Sequence, residues 1–216
     1  MISRKAFIAA SSIAPLAMGA QIASASTPAA SAFVFDEARY KAILATPAAH
    51  KMCFGSTYTG GGEVLFLMNN LLNAYDDHSN QPHSTHTIAV LYHGASFTMA
   101  LDDSFWKDVL APYVKKGGSE AAQLWGDVSH NPYLSDPDAA ATIDSLAARG
   151  ANFLVCRNAL TENAQDFAKT MGWHPADVYR KAVAALVPSA LIVPAGVMAI
   201  CDAQQAGYAY LQATLS

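Results

Sequence analysis

The chain has 216 residues, of which 52% are hydrophobic and 14% are charged. This composition is typical of one globular domain with a substantial core and excludes a disordered chain. The net charge is −4 at pH 7, and Lys and Arg form no clusters, so the sequence disfavours nucleic acid as a partner.

The N-terminal residues have the pattern of an export signal. The basic run Ser3-Arg4-Lys5-Ala6-Phe7 precedes a mildly apolar stretch, and Ala23-Ser24-Ala25 is a small-residue cleavage site. The run is similar to a twin-arginine signal with Lys in place of the second Arg, so general secretion stays open. The apolar stretch is shorter than the roughly 20 residues that span a bilayer. We therefore expect cleavage after Ala25, a periplasmic location and no stable membrane anchor afterwards.

Residues 26–34 form a predicted linker, and residues 35–216 form a predicted single domain. In the first half, a helix is expected over 35–44, a strand over 50–57 and a turn at three glycines. The next helix has an apolar stripe at helical spacing. The nearly unbroken apolar run over 87–92 is typical of a parallel strand buried on both faces. The stripe consists of Val64, Leu67, Met68, Leu71, Leu72 and Tyr75.

The second half alternates in the same way. A helix over 95–106 precedes a loop or lid over 117–137. Strands are expected over 152–155 and 190–193, and a last helix from Val197 carries a stripe that reaches Leu211. Strands that alternate with helices predict a parallel sheet covered on both faces. The remaining predicted helices cover residues 139–148, 163–171 and 179–186.

Several stretches, taken in order, resemble the exported branch of the DsrE/DsrF-like sulfur-relay family. They are Phe35-Asp36-Glu37-Ala38-Arg39-Tyr40, Leu71-Leu72-Asn73-Ala74-Tyr75, Tyr92-His93-Gly94-Ala95, Asn131-Pro132-Tyr133, Phe153-Leu154-Val155-Cys156-Arg157-Asn158 and Gln204-Gln205-Ala206-Gly207-Tyr208. The resemblance implies a three-layer α/β/α fold with a mainly parallel sheet of about five strands. It also implies a homo-oligomer and a sulfur-donor or sulfur-acceptor protein as partner. Relatives carry sulfane sulfur on a cysteine after a central strand, which matches Cys156 here.

Cys156 is the first candidate for chemistry. It ends a predicted strand, and ligands of open α/β sheets gather beyond the carboxyl ends of the strands. Arg157 and nearby amides would lower the pKa of the thiol, and a thiolate is what sulfur exchange needs. The alternative is a buried, inert cysteine. His93 ends another strand at the same edge and is either a proton shuttle or a structural histidine.

The glycine-rich turn is a candidate anion site. Backbone amides at a helix start attract anions, although neither a nucleotide-loop nor a Rossmann pattern follows the glycines. A flexible strand-to-helix turn is the alternative, and the sequence predicts no cofactor. The residues expected to line the anion are Ser56, Thr57, Thr59, Gly60, Gly61, Gly62 and Asn158.

The other cysteines and the histidine-rich segment carry weaker predictions. Cys53 and Cys201 are expected in the core, and a Cys53–Cys156 disulfide is possible if their strands are neighbours. His78, His83 and His86 are of the residue type that binds zinc or copper, but their spacing matches no standard site. A solvated loop is therefore favoured there, and no metal is predicted.

Aromatic side chains give the last candidate. Trp106, Trp125 and Trp173 with Tyr92 and Phe97 line a pocket or belong to the core. Two functions remain open for the whole chain. The first is an exported protein that binds or transfers sulfane sulfur through Cys156, and the second is a non-catalytic anion-binding or assembly module on the same fold. No enzyme class is assigned.

Overall fold

A computed structural model describes residues 33–78, 80–117, 128–136, 139 and 141–213. The predicted signal peptide, most of the predicted linker and Trp125 lie outside these residues. The described strands form a single sheet in which every pairing is parallel, in the order β4-β3-β2-β1-β5. They are β1 (His50–Ser56), β2 (Thr85–Leu91), β3 (Asn152–Cys156), β4 (Ala190–Val193) and β5 (Ala209–Gln212).

Helices connect the strands and cover both faces of the sheet, so the predicted three-layer α/β/α fold is confirmed. The chain also contains short helical turns between these elements. They are 3-10 turns at Gly60–Gly62 and Ser96–Ala100 and π turns at Ala74–His78 and Trp106–Leu110. The described α-helices are α1 (Glu37–Leu44), α2 (Glu63–Asn73), α3 (Asp103–Phe105), α4 (Ala111–Gly117), α5 (Ile143–Ala148), α6 (Arg157–Met171), α7 (Pro175–Ala184) and α8 (Gly196–Gln205).

Alternating strand residues divide the core between the two faces. In β2, Ala89 and Leu91 pack with α2, α4, α5, α6 and α7, whereas Ile88 and Val90 pack with α1 and α8. Every residue of β2 is buried; the nearly unbroken apolar run predicts this for residues 87–91, whereas Thr85 and His86 were not expected in the strand. The sheet is therefore sealed on both faces, and only its ends and edges are available for ligands or partners.

Three local predictions were wrong. The helix expected to begin at residue 163 begins directly after β3, at Arg157. The helix expected over 95–106 is broken by an extended residue, Leu101, that bridges to Leu186. The last helix does not reach Leu211: it ends at Gln205, the chain turns at Gly207 with φ 88°, and β5 follows.

The phase of α8 also differs from the predicted stripe. Ala199 and Ala203 are buried, whereas Val197 is 62% exposed and Cys201 is exposed. Small alanines allow α8 to lie close to the sheet, whereas Val197 and Cys201 of the predicted stripe face outward. The expectation that Cys201 belongs to the core was therefore wrong.

The described part of the chain contains no helix whose length and apolar character would let it cross a membrane.

Candidate functional site at the carboxyl edge of the sheet

Cys156 lies at the junction of β3 and α6. It is the last strand residue, in register with Val193 of β4, and it is also the N-cap of α6. No side chain caps the amides of this 15-residue helix. The first turn of a helix leaves backbone N–H groups without partners and carries a partial positive charge. The sulfur is therefore placed beside a potential that favours a negative charge.

A second helix begins at the same place. α8 starts at Gly196 directly beyond β4, and its N-cap, Ala195, also provides no side-chain hydrogen bond. A Cβ placed on Gly196 would lie 3.3 Å from Cys156 Cβ and 3.0 Å from Tyr92 Cα. Only a residue without a side chain allows this approach. Two uncapped helix N-termini thus converge on Cys156.

Arg157 adds a full positive charge to this edge. Its guanidinium carbon lies 4.9 Å from the centre of the Phe33 ring, a cation–π arrangement. Its Nε is buried and has no hydrogen-bond partner. Arg157 directly follows Cys156 in the chain, and Phe33, assigned to the linker from the sequence, packs on its guanidinium.

The structure buries Cys156, for which the sequence left a reactive thiol and a buried, inert cysteine open. Only 5% of the residue is exposed, because the start of α8 packs against it through Gly196. The start of α8 therefore limits the access of reagents to this cysteine.

His93 shares the edge but is not brought against the sulfur. It follows β2 and is exposed, and its carbonyl oxygen accepts hydrogen bonds from Ser96 Oγ at 2.7 Å and from Ser96 N at 3.3 Å. Tyr92 is the residue after β2 that approaches Cys156, through their shared neighbour Gly196. The side chain of His93 is available to a ligand at the edge.

No sequence pattern indicated the polar cluster that lies beside Tyr92. Gln212 Oε1 accepts hydrogen bonds from Tyr92 Oη at 2.9 Å and from Tyr210 Oη. Burial, followed by the neighbouring Tyr92, raises the pKa of Tyr210 to about 12. The Tyr210 phenol therefore stays protonated and donates at neutral pH. The cluster escaped prediction because β5 was assigned to a helix, which places Tyr210 and Gln212 elsewhere.

The predicted anion loop follows β1 at the same edge. Ser56 is buried and its Oγ donates to the Tyr58 carbonyl at 2.7 Å, while Gly60 and Gly61 are exposed. β2 separates β1 from β3, so this loop and Cys156 flank the turn after β2 from opposite sides. Among the other predicted lining residues, Asn158 is exposed in the first turn of α6, Thr57 is half-buried, and Thr59 and Gly62 are buried.

The remaining cysteines do not join the site. All three cysteines are free, and β2 lies between the strands of Cys53 and Cys156, so the possible disulfide is not formed. Cys53 is fully buried, and burial raises the pKa of its thiol to about 12. Cys53 is therefore an inert core residue, as the sequence predicted.

The histidine-rich segment is divided by the fold. His83 is exposed, but His86, expected in a solvated loop, is a buried residue of β2. Its Nδ1 lies 2.6 Å from Tyr208 Oη and its Nε2 lies 3.2 Å from Asn152 Nδ2. The described residues contain no group of His, Cys, Asp and Glu side chains that could hold a metal ion.

The aromatic candidates belong mainly to the core. Trp106 and Phe97 are fully buried, and Trp106 Nε1 donates to the Thr98 carbonyl at 2.9 Å. Trp173 is half-buried, and Lys181 Nζ lies 5.9 Å from its ring centre. The pocket interpretation fails for Trp106 and Phe97.

Comparisons with known proteins add little to this geometry. No protein-family model matches the chain, and no curated protein matches it. Among solved structures it is similar to MTH1491 of Methanobacterium thermoautotrophicum, a protein of unknown function. The two are 18% identical with a TM-score of 0.39, over 76% of this chain and 98% of that one. The predicted DsrE/DsrF-like resemblance stays a prediction.

Proposed function

We propose that this protein binds a small sulfur-containing anion at the carboxyl edge of its sheet and takes up a sulfane sulfur on Cys156. The observation that carries the proposal is the convergence of two uncapped helix N-termini on one cysteine. Arg157 lies next to that cysteine with a buried, unpartnered Nε. Such an arrangement favours an anionic donor.

The uptake reaction is a thiol exchange without an external oxidant. With thiosulfate as donor, the Cys156 thiolate attacks the outer, sulfane sulfur. A new S–S bond forms on the protein while the S–S bond of thiosulfate breaks. Sulfite leaves with the bonding electron pair, and Cys156 becomes a persulfide anion. The first-turn amides of α6 and α8 and the charge of Arg157 stabilise the anions on both sides of this exchange.

Exposed groups around the cysteine have supporting roles in the proposal. The amides at Asn158 and Val197 hold the donor before it reacts, since both residues are exposed in first turns. The imidazole of His93 carries a proton to or from the edge. The loop that contains Gly60 and Gly61 forms the far wall of the anion site. Turnover requires an acceptor thiol, which a partner protein would supply.

The burial of Cys156 favours a second candidate function. With 5% of the residue exposed, the edge would hold an anion without any reaction at sulfur. In that case the protein is a binding or assembly module on the same fold. The two candidates share the anion site and differ only in the chemistry of one thiol.

One experiment separates them. Purified protein is incubated with thiosulfate or polysulfide, and its intact mass and cysteine-containing peptides are then measured. The sulfur-uptake function predicts the added mass of one sulfur on Cys156, and none in Cys156→Ser. Cys201→Ser is the matched control because Cys201 is exposed but lies on the outer face of α8, so its loss leaves uptake unchanged. If no sulfur is added to Cys156, but the anion binds and protects the carboxyl edge of the sheet, the result supports the binding module.

We also propose that the protein acts after export to the periplasm. The basic and apolar pattern of residues 1–25 supports this location. N-terminal sequencing of protein recovered from the periplasmic fraction would begin after Ala25. A chain that retains Met1 and stays in the cytoplasm would contradict the proposal.

A further inference from the structure

The two edges of the sheet differ in how they are covered. Every residue of β4 is buried, and beside this strand the Arg39 guanidinium donates to the Pro188 carbonyl at 2.6 Å. β5, at the opposite edge, has three exposed residues out of four. Leu211 in its centre is 43% exposed. The β5 edge is therefore the open edge of the described sheet.

On this open side the backbone groups of β5 have no partner strand among the described residues. Ala213 N donates to the Gly55 carbonyl of β1 at 2.7 Å, and alternate residues of a strand direct their N–H and C=O groups to alternate sides. The groups of Leu211 therefore face β1 as well, and those of Tyr210 and Gln212 face outward. An unpaired row of this kind is a template for another strand.

Edge strands that do not pair with another molecule are usually protected by charge, proline or a bulge, and β5 has none of these. From Ala203 to Ser216 the sequence contains no Asp, Glu, Lys, Arg, His or Pro. A two-fold axis brings the same segment of two chains together, with residue i against residue j and j against i, so like charges within the segment would lie close together and repel. The charge-free segment avoids this repulsion and is complementary to itself.

We infer that β5 pairs antiparallel with β5 of a second copy of this chain, extending the sheet across a dimer. The register that uses all the outward groups places Tyr210 opposite Gln212 of the partner copy. Leu211 then faces its own counterpart across the two-fold axis. That pair is of the close, non-hydrogen-bonded kind, with Cα atoms about 4.5 Å apart.

Light scattering and sedimentation of the purified protein test the inference. We expect twice the chain mass within about 1–100 μM protein, and monomers for Leu211→Lys, whose new charges would face each other. Val183→Lys is the matched control because Val183, on α7, is 42% exposed and lies away from β5. A wild-type protein that stays monomeric, or a dimer that Leu211→Lys leaves unchanged, would overturn the inference.

Cross-linking keeps the test independent of any folding defect in the lysine variant. In a Cys201→Ser background, Leu211→Cys is expected to form a disulfide-linked dimer under mild oxidation, whereas Val183→Cys is not. Equal cross-linking of the two variants would reject the β5 pairing. Both experiments measure the mass of the assembly, so their outcome does not depend on sulfur uptake at Cys156.

Discussion

Replacement of Gly196 by Ala tests the approach of α8 to the candidate site. The added Cβ would lie 3.0 Å from Tyr92 Cα, 3.3 Å from Cys156 Cβ and closer still to Tyr92 Cβ. Carbon atoms in contact are normally about 3.5–4.0 Å apart. Tyr92 Cα and Cβ are fixed to the backbone of the central strand region and cannot rotate away. The start of α8 must therefore move outward.

The size of the effect follows from this forced displacement. Overpacking a closely packed site costs about 1–3 kcal/mol, and we expect a loss of unfolding free energy in that range. Val197→Ala is the control, because its side chain is 62% exposed and its loss should change stability by less than about 0.5 kcal/mol. Urea unfolding followed by circular dichroism measures both values.

The same substitution has a second readout at the cysteine. Because α8 covers Cys156, its outward movement exposes the thiol, and alkylation of native Cys156 should become faster in Gly196→Ala than in wild type. A Gly196→Ala protein with wild-type stability and a wild-type alkylation rate would show that α8 does not seal the sulfur. The reasoning about the site would then be wrong.

Three further predictions concern the rest of the chain. Burial lowers the pKa of His86 in the folded protein. As the pH falls, the unfolded chain therefore binds a proton at this imidazole before the folded protein does, and the unfolding free energy decreases below about pH 6.5. Urea unfolding across that range should show a weaker pH dependence for His86→Gln. Arg149 donates to Asn69, Asn73 and Asp76 at 2.7–2.9 Å, so Arg149→Met should cost about 1–2 kcal/mol in thermal unfolding, and no loss would contradict the network. A bulky thiol reagent should label Cys201 in the native protein but Cys53 only after unfolding, and early labelling of Cys53 would contradict its burial.

The central part of the fold could be predicted from residue patterns. Residues 88–91 of β2 are all apolar, so side chains on both faces of this strand favour burial, and the sequence predicts it. β4 was predicted with its observed bounds for the same reason.

β5 could not be separated from α8 by apolar spacing alone. Tyr208 and Leu211 continue the helical stripe that begins at Val197, so the spacing of these residues is compatible with one long helix. The available signal was Gly207, because a glycine beyond the last turn commonly ends a helix in the left-handed region. The alternating tyrosines after it are typical of a strand.

The candidate site was only partly predictable. Local sequence placed Cys156 and Arg157 at the end of a strand, since an apolar run ends there. The approach of Gly196 from the next crossover is a long-range contact, and no local pattern encodes it. The burial of Cys156 and the hydrogen bonds from Tyr92 and Tyr210 to Gln212 depend on the same packing.

Release of sulfite tests the central claim most directly, because it follows the leaving group of the proposed exchange. Incubation of the purified protein with excess thiosulfate should release about one sulfite for each Cys156 converted to a persulfide, and Cys156→Ser should release none. Sulfite release that is equal in wild type and Cys156→Ser, or absent from both, would contradict sulfur uptake on Cys156.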